Sequence, residues 1–220
     1  MTVEPRIITI DGPACSGKST AAKNAAQRLG LTTINSGTLY RAITLMHHKL
    51  NTNAGSNIQI WKQDLAIWVE KYMDVTIQDG VVIECMSSPV SLAELKTAQI
   101  NLTISDVSAI RPIRDWVNQR WREYAATIEH GIVCEGRDAG HVIFPDATAK
   151  FYMTADAQVR ATRADEPLHM VLNRDKADMA KEYGNLLTEE VASRLGYHVI
   201  DNSHLSAEDV ADFIVKVCEM

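Results

Sequence analysis

The sequence predicts an α/β protein, a parallel β-sheet covered by helices on both faces. Three observations predict it. Short, apolar, β-branched runs such as Arg6-Ile-Ile-Thr-Ile10 have the length and composition of buried parallel strands. Segments with apolar residues at helical spacing alternate with these runs. A glycine-containing turn, Gly12 to Gly17, joins the first run directly to the first helical segment.

The elements follow in order. Lys18 to Leu29 places Ala21, Ala22, Ala25, Ala26 and Leu29 on one helix face, with Gly30 where a helix ends. Leu31 to Asn35 is expected as a second strand. Ser36 can cap the next helix, whose inward face is Leu39, Ile43, Met46 and Leu50. The polar stretch Asn51 to Asn57 reads as a loop, and Trp61, Leu65, Trp68 and Tyr72 then recur at helical spacing as a packing stripe. Asp79-Gly80 between Val75–Ile77 and Val81–Ile83 signals a hairpin, an insertion into the α/β pattern. Pro112 opens a long helix with Ile113, Trp116, Val117, Tyr124 and Ile128 inward. Ile132–Cys134, Lys150–Met153 and His198–Ile200 are further strands, and Ser206 with Asp209 starts a last helix as a capping box.

The chain of 220 residues suits one α/β domain with small insertions. It is 46% apolar and 23% charged, with a formal net charge of −6. That balance argues against a basic nucleic-acid-binding surface, so a phosphate site has to be built from local arginines and backbone amides. Cys15, Cys85, Cys134 and Cys218 are scattered, with neither a C-x-x-C pair nor zinc spacing, which points to a reduced, cytoplasmic protein. The first six residues, with Glu4 and Pro5, lack a signal-peptide layout. No apolar run approaches the roughly 20 residues needed to span a bilayer. The seven histidines are dispersed apart from His47-His48, so metal ligation by histidine is not indicated.

Gly12-Pro13-Ala14-Cys15-Ser16-Gly17-Lys18-Ser19 fits the phosphate-loop pattern G-x-x-x-x-G-K-[ST], and Thr20 follows it. In such a loop the backbone N–H groups wrap a phosphate and the following helix adds its positive end. Lys18 is then expected on the β- and γ-phosphates and the Ser19 hydroxyl on Mg2+. The preceding strand and following helix are the context that the pattern needs. Cys15 reads as a small residue filling a tight loop, the alternative being a thiol made oxidisable by Lys18 and the helix N-terminus. The expected architecture is a three-layer P-loop NTPase fold with a parallel central sheet.

Three further motifs carry a family resemblance. Asn35-Ser-Gly-Thr-Leu-Tyr-Arg41 resembles the D-[ST]-G-x-x-Y-R motif of bacterial cytidylate kinases. Val107-Ser-Ala-Ile-Arg-Pro-Ile-Arg114 resembles their V-x-x-x-P-x-V-R segment. Glu135-Gly-Arg-Asp138, running on to Pro145-Asp146, resembles their D-G-R-D-x-G-x-V-x-F-P-D block. The four motifs occur in order over nearly the whole chain.

The resemblance implies ATP-dependent phosphorylation of CMP or dCMP with Mg2+, in a cytoplasmic monomer that binds neither nucleic acid nor membrane. It implies a single domain over 1–220 with a nucleotide-monophosphate-binding (NMP-binding) insertion at about 37–106 and a short lid at about 161–181. Ser36, Tyr40 and Arg41 would sit in the acceptor pocket, and Ser105 and Asp138 would read the cytosine and sugar. Arg41, Arg114 and Arg137 would clamp the acceptor phosphate; arginine suits this because its fork is bidentate and does not deprotonate. Glu135 would hold a water on Mg2+. Lid residues Arg160, Arg163 and Arg174 would approach the transferring phosphate, with Arg174, Asp175 and Asp178 matching the end of the lid motif.

The departures are specific. Glu135 and Asn35 stand where the family has an acid of the aspartate type, while Ala177 and Lys181 replace arginines. Lys181 would bind phosphate as a point charge. The segment from Arg163 to Arg174 is short and contains Pro167 and His169. A diverged lid leaves two other readings open: a P-loop kinase for another small acceptor, or a degenerate nucleotide-binding protein. A GTPase is disfavoured, since no N-K-x-D signature is present.

Overall fold

The alanine face of the first helix lets it lie close on the sheet. In this computed structural model, which describes residues 6–51 and 58–220 and the side chains of 6–49 and 64–220, β1 (Ile7–Asp11) leads through the glycine turn into α1 (Lys18–Leu29). Ala21, Ala22, Ala25 and Ala26 bring α1 close enough to bury Ile8 and Ile10 completely. Gly30 ends α1 in the left-handed conformation, donating its N–H to Ala26.

Five parallel strands form the main sheet among the described residues: β1, β2 (Thr32–Asn35), β6 (Ile132–Glu135), β7 (Ala149–Thr154) and β8 (His198–Asp201), in the order β2-β6-β1-β7-β8. Ile7 pairs with Ile132 and Ile8 with Ala149, so β1 is central. The alternation along β7 divides the core. Phe151 and Met153 face α1 and α10 (Ala207–Glu219), whereas Tyr152 faces the other way, onto Leu186, Leu187, Ala192 and Tyr197. The sheet is thus covered on both faces, as the alternating pattern predicts. Ser206 and Asp209 form the expected capping box on α10.

Contacts divide the chain into two units. One holds the main sheet, with the residues up to Asn35 and from Ala125 onward; the other is Ser36–Tyr124. The inserted unit contains α2 (Gly37–Asn51), α3 (Ile58–Tyr72), α4 (Leu92–Leu95), α5 (Ala98–Ser108), most of α6 (Arg111–Ala126) and a three-stranded sheet of β3 (Val75–Gln78), β4 (Val81–Cys85) and β5 (Ser88–Pro89). The hairpin forms where Asp79-Gly80 predicts it, both residues having positive φ. The Gly80 N–H also donates to Tyr124 Oη at 2.7 Å.

Some side-chain expectations need correction. Among the described side chains the buried face of α3 is Leu65 and Val69, continued by Met73 just past its end; Tyr72 is exposed, because the inward positions run i, i+4 and i+8 from Leu65. On α6 Ile113 and Val117 are fully buried as expected, and so is Trp121, which donates its indole N–H to Ser36 O at 3.1 Å, while Trp116 and Tyr124 are half-buried and Ile128 lies beyond the helix end. The stretch 52–57 and the side chains of Leu50 and Trp61 lie outside the described residues.

Gly12 has φ 145°, and a Cβ there would meet the Met153 carbonyl oxygen at 2.0 Å. Gly12→Ala is therefore expected to cost about 3 kcal/mol through clash and backbone strain. Urea denaturation followed by circular dichroism reads this, since all four tryptophans fall within 36–124.

Candidate functional site

The loop from Gly12 to Gly17 is braced from several sides. Lys18, almost fully buried, bends back to donate to Pro13 O at 2.5 Å and to Ser16 Oγ at 3.2 Å. Ser16 Oγ donates to Pro13 O at 3.0 Å, and Asn202 Nδ2 to Ser16 O at 2.8 Å. Cys15, at the tip, is a non-glycine residue in the left-handed region, φ 60°. Burial, and then the nearby Arg137 charge, lower the Lys18 pKa to about 7 against the opposing pull of Glu135 and Asp11.

The first turn of α1 meets the ends of β2 and β6. Ser19 donates to Glu135 Oε1 at 2.6 Å, and Asn35 Nδ2 donates to the same oxygen. The longer glutamate thus reaches Ser19, held there by the amide in place of a second acid.

Beyond β7 the chain forms α7 (Ala157–Ala164) and α8 (Leu168–Met179), on which most lid candidates lie. Arg163 binds Asn202, with Nη1 on Oδ1 at 3.0 Å and Nη2 on the carbonyl at 2.7 Å. Arg174 pairs with Glu166, lies 3.7 Å from Cys15 Sγ, and leaves its buried Nε without a partner among the described residues. Asp178 joins two cations, accepting from Arg137 Nε at 2.9 Å and Lys181 Nζ at 2.7 Å. Burial alone would raise the Asp178 carboxyl, but Arg137 and Lys181 outweigh it and hold it below the usual carboxylate range. Arg160 is buried, with its Nε and both Nη atoms engaged: Nε on Ala155 O, Nη1 on Ala14 O and Nη2 on Asp175.

Arg137 and Asp138 follow β6 and precede a π-helical turn, Ala139–Ile143. Asp138 is buried, and its side chain does not cap that turn. Asp11 anchors the turn instead. Its carboxylate accepts the N–H groups of Ala139 at 2.8 Å and Gly140 at 2.7 Å and the Tyr197 hydroxyl at 3.0 Å. Burial raises Asp11 to about 6, with the amides of Gly140 and Ala139 pulling it back down, so it is charged at neutral pH. Gly140 has to be glycine: a Cβ would meet Thr9 Oγ1 at 2.5 Å and the Tyr197 hydroxyl oxygen at 2.7 Å.

Ser36, Tyr40, Arg41, Ser105 and Arg114 belong to the inserted unit. Arg114 is buried, donates to Ser108 O at 2.8 Å, and lies 5.4 Å from the centre of the Tyr40 ring. Arg41 donates to Leu95 O at 3.0 Å and Asn101 Oδ1 at 2.7 Å. Ser105 is half-buried on α5, and Ser36 sits buried just before α2.

Sequence reasoning missed Asp11, Asn202 and Tyr197. The first two carried a signal: each is a polar residue at or just past the carboxyl end of a parallel strand, where ligand sites gather. Among the described residues no group of three or more His, Cys, Asp or Glu could hold a metal by itself, and no helix is long and apolar enough to cross a membrane.

The comparisons agree with one another. The family described as cytidylate kinase matches residues 8–220. A cytidylate kinase of Desulforamulus reducens is 32% identical over 225 residues, 98% of this chain and 98% of its own. One of Borrelia hermsii is 33% identical over 96% of each chain. A crystal structure of a Thermus thermophilus protein shares the fold, with a TM-score of 0.54 and 17% identity over 99% of both chains.

The Lys18 shift has a measurable consequence. With its empty-loop pKa at about 7, Lys18 is mostly neutral at pH 8, and a bound polyphosphate draws it back toward the usual lysine range. Binding of a magnesium nucleoside triphosphate at pH 8 is expected to take up about one proton. Uptake should vanish below pH 6 and in Lys18→Met, as read by calorimetry in buffers of different ionisation enthalpy.

Proposed function

The chain belongs to the cytidylate kinase family, and we propose that it transfers the terminal phosphoryl group of ATP to CMP or dCMP, giving ADP and CDP or dCDP. The observation that carries this reading is the meeting of Ser19 and Glu135 at the first turn of α1, directly after a complete phosphate loop.

Phosphoryl transfer asks a protein for position and positive charge more than for covalent chemistry. Residues Gly12, Pro13, Ala14, Cys15, Ser16, Gly17, Lys18, Ser19 and Thr20 are assigned to ATP, with loop amides and Lys18 on its phosphates. Lys18 then exchanges its present acceptors, Pro13 O and Ser16 Oγ, for phosphate oxygens. Mg2+ fits the residues present: a hydroxyl and a carboxylate oxygen 2.6 Å apart are donors of the hard type it takes. Ser19 would hold it directly and Glu135 through water, and its chemistry would be charge neutralisation on the phosphates.

Ser36, Tyr40, Arg41, Ser105, Arg114, Arg137, Asp138 and Lys181 are assigned to the acceptor. Arg163 and Arg174 are assigned to the charge that spreads over the phosphoryl oxygens in the transition state. The unpartnered Arg174 Nε supports that assignment, as a donor without an acceptor. Asp178 holds Arg137 and Lys181 together, so that the point charge of Lys181 works beside an arginine fork. A monomer in the cytoplasm, binding neither nucleic acid nor membrane, completes the proposal.

A coupled assay over CMP, dCMP, UMP, AMP and GMP tests it. CMP or dCMP is expected to exceed the purine nucleotides by about 100-fold in kcat/KM, and absence of turnover with every pyrimidine overturns the reading. Lys18→Ala is expected to lower kcat/KM by about 1000-fold. Asp138→Ala should raise the KM for CMP far more than that for ATP.

A further inference from the structure

Two side chains that the phosphate-loop motif does not include hold one of its residues from both sides. Asp175, on α8, accepts the Ala14 N–H on Oδ1 at 3.3 Å and the Arg160 guanidinium on Oδ2 at 2.7 Å. Arg160, on α7, donates from Nη1 to the Ala14 carbonyl at 3.0 Å and from Nε to Ala155 O at 3.0 Å. Both side chains are about nine-tenths buried.

A buried ion pair is a poor source of stability, because desolvation of both charges offsets their attraction; two apolar residues of similar volume hold helices together as well. What apolar residues cannot do is grip an N–H and a C=O of the same residue. The gripped carbonyl belongs to the peptide that leads into Cys15, and Cys15 is left-handed, a conformation costing a non-glycine residue about 1–2 kcal/mol that its surroundings must impose.

We propose that Arg160 and Asp175 are positioning residues for the donor nucleotide: by clasping Ala14 they set the Ala14–Cys15 peptide, and with it the curvature of the loop that receives the phosphates. The clasp rests on the reading of ATP as donor. It separates Arg160 from Arg163, its neighbour at i, i+3, in role. It also links the seating of α7 and α8, which carry Arg163 and Arg174, to the shape of the loop.

The test uses Asp175→Asn, Arg160→Lys, Arg160→Met and the Asp175→Asn/Arg160→Met pair in the full chain. Steady-state kinetics with both substrates varied should give a KM for ATP raised about tenfold with the KM for CMP unchanged. Arg160→Lys should fall between wild type and Arg160→Met, since one ammonium nitrogen cannot stand at the three separate positions of Nε, Nη1 and Nη2. The double variant should be little worse than either single one, as expected for residues acting as a unit. Without nucleotide, alkylation of Cys15 by iodoacetamide should accelerate several-fold relative to Cys218 in the same chain. Equal increases in both KM values, or an unchanged KM for ATP and an unchanged Cys15 rate in folded variants, overturn the proposal. Should Arg160→Met not fold, Asp175→Asn decides, being isosteric. If the chain turned over no nucleoside monophosphate, Cys15 alkylation and calorimetric ATP binding would still decide the clasp, separately from the assigned activity.

Discussion

A loop that is to wrap a phosphate must keep its shape when no phosphate is there. Free amide groups turned inward have nothing to hold them, so the surroundings have to supply the constraint. Here the loop is fastened by its outer atoms: Asn202 on the Ser16 carbonyl, Lys18 and Ser16 on the Pro13 carbonyl, Asp175 and Arg160 on Ala14. Close contact of Gly12 with the Met153 backbone closes the other side. The rest of the sheet unit can be understood as what delivers those groups. Asn202 comes from the end of β8, Met153 from β7, and the clasp from α7 and α8.

The same economy governs charge. A protein of net charge −6 that receives polyanions needs local cations, and near the loop those cations have partners already in place. Arg137 and Lys181 share Asp178, Arg174 pairs with Glu166, Arg163 rests on Asn202, and buried Lys18 donates to Pro13 O and Ser16 Oγ. Binding is then an exchange of partners, with less desolvation of bare charge than an unpaired cluster would suffer. Asp11 serves differently. Its carboxylate joins the end of β1 to the π-helical turn after Asp138, so the residue before the loop also fixes the segment that carries Arg137 and Asp138.

Much of this was legible in the residues. Strands β1, β6 and β7 are short apolar runs, and the phosphate loop, the Asp79-Gly80 hairpin and the Ser206 capping box are local patterns whose partners lie within a few residues. What stayed hidden depends on partners far away in the chain. Asp175 meets Ala14 across 161 positions, Asn202 meets Ser16 across 186, and Tyr197 meets Asp11 across 186. No periodicity carries that information. Arg160 shows the limit best. Its spacing from Arg163 suggested a shared face and a shared task, yet the first is buried on the loop and the second lies on Asn202. Trp121 was missed beside Trp116 because two large apolar residues five positions apart on one helix cannot both face the same core.

The order of the main sheet has one more consequence, for how the molecule behaves when crowded. Its outer strands, β2 and β8, are four residues each, about 13 Å of exposed ladder. Thr32, Thr33 and Asn35 make up most of one, and His198 and Asp201 bracket the other. Borders so brief and so polar offer little for a foreign strand to align on. The more apolar strands, β6, β1 and β7, are kept to the middle of the sheet, where both neighbours are its own.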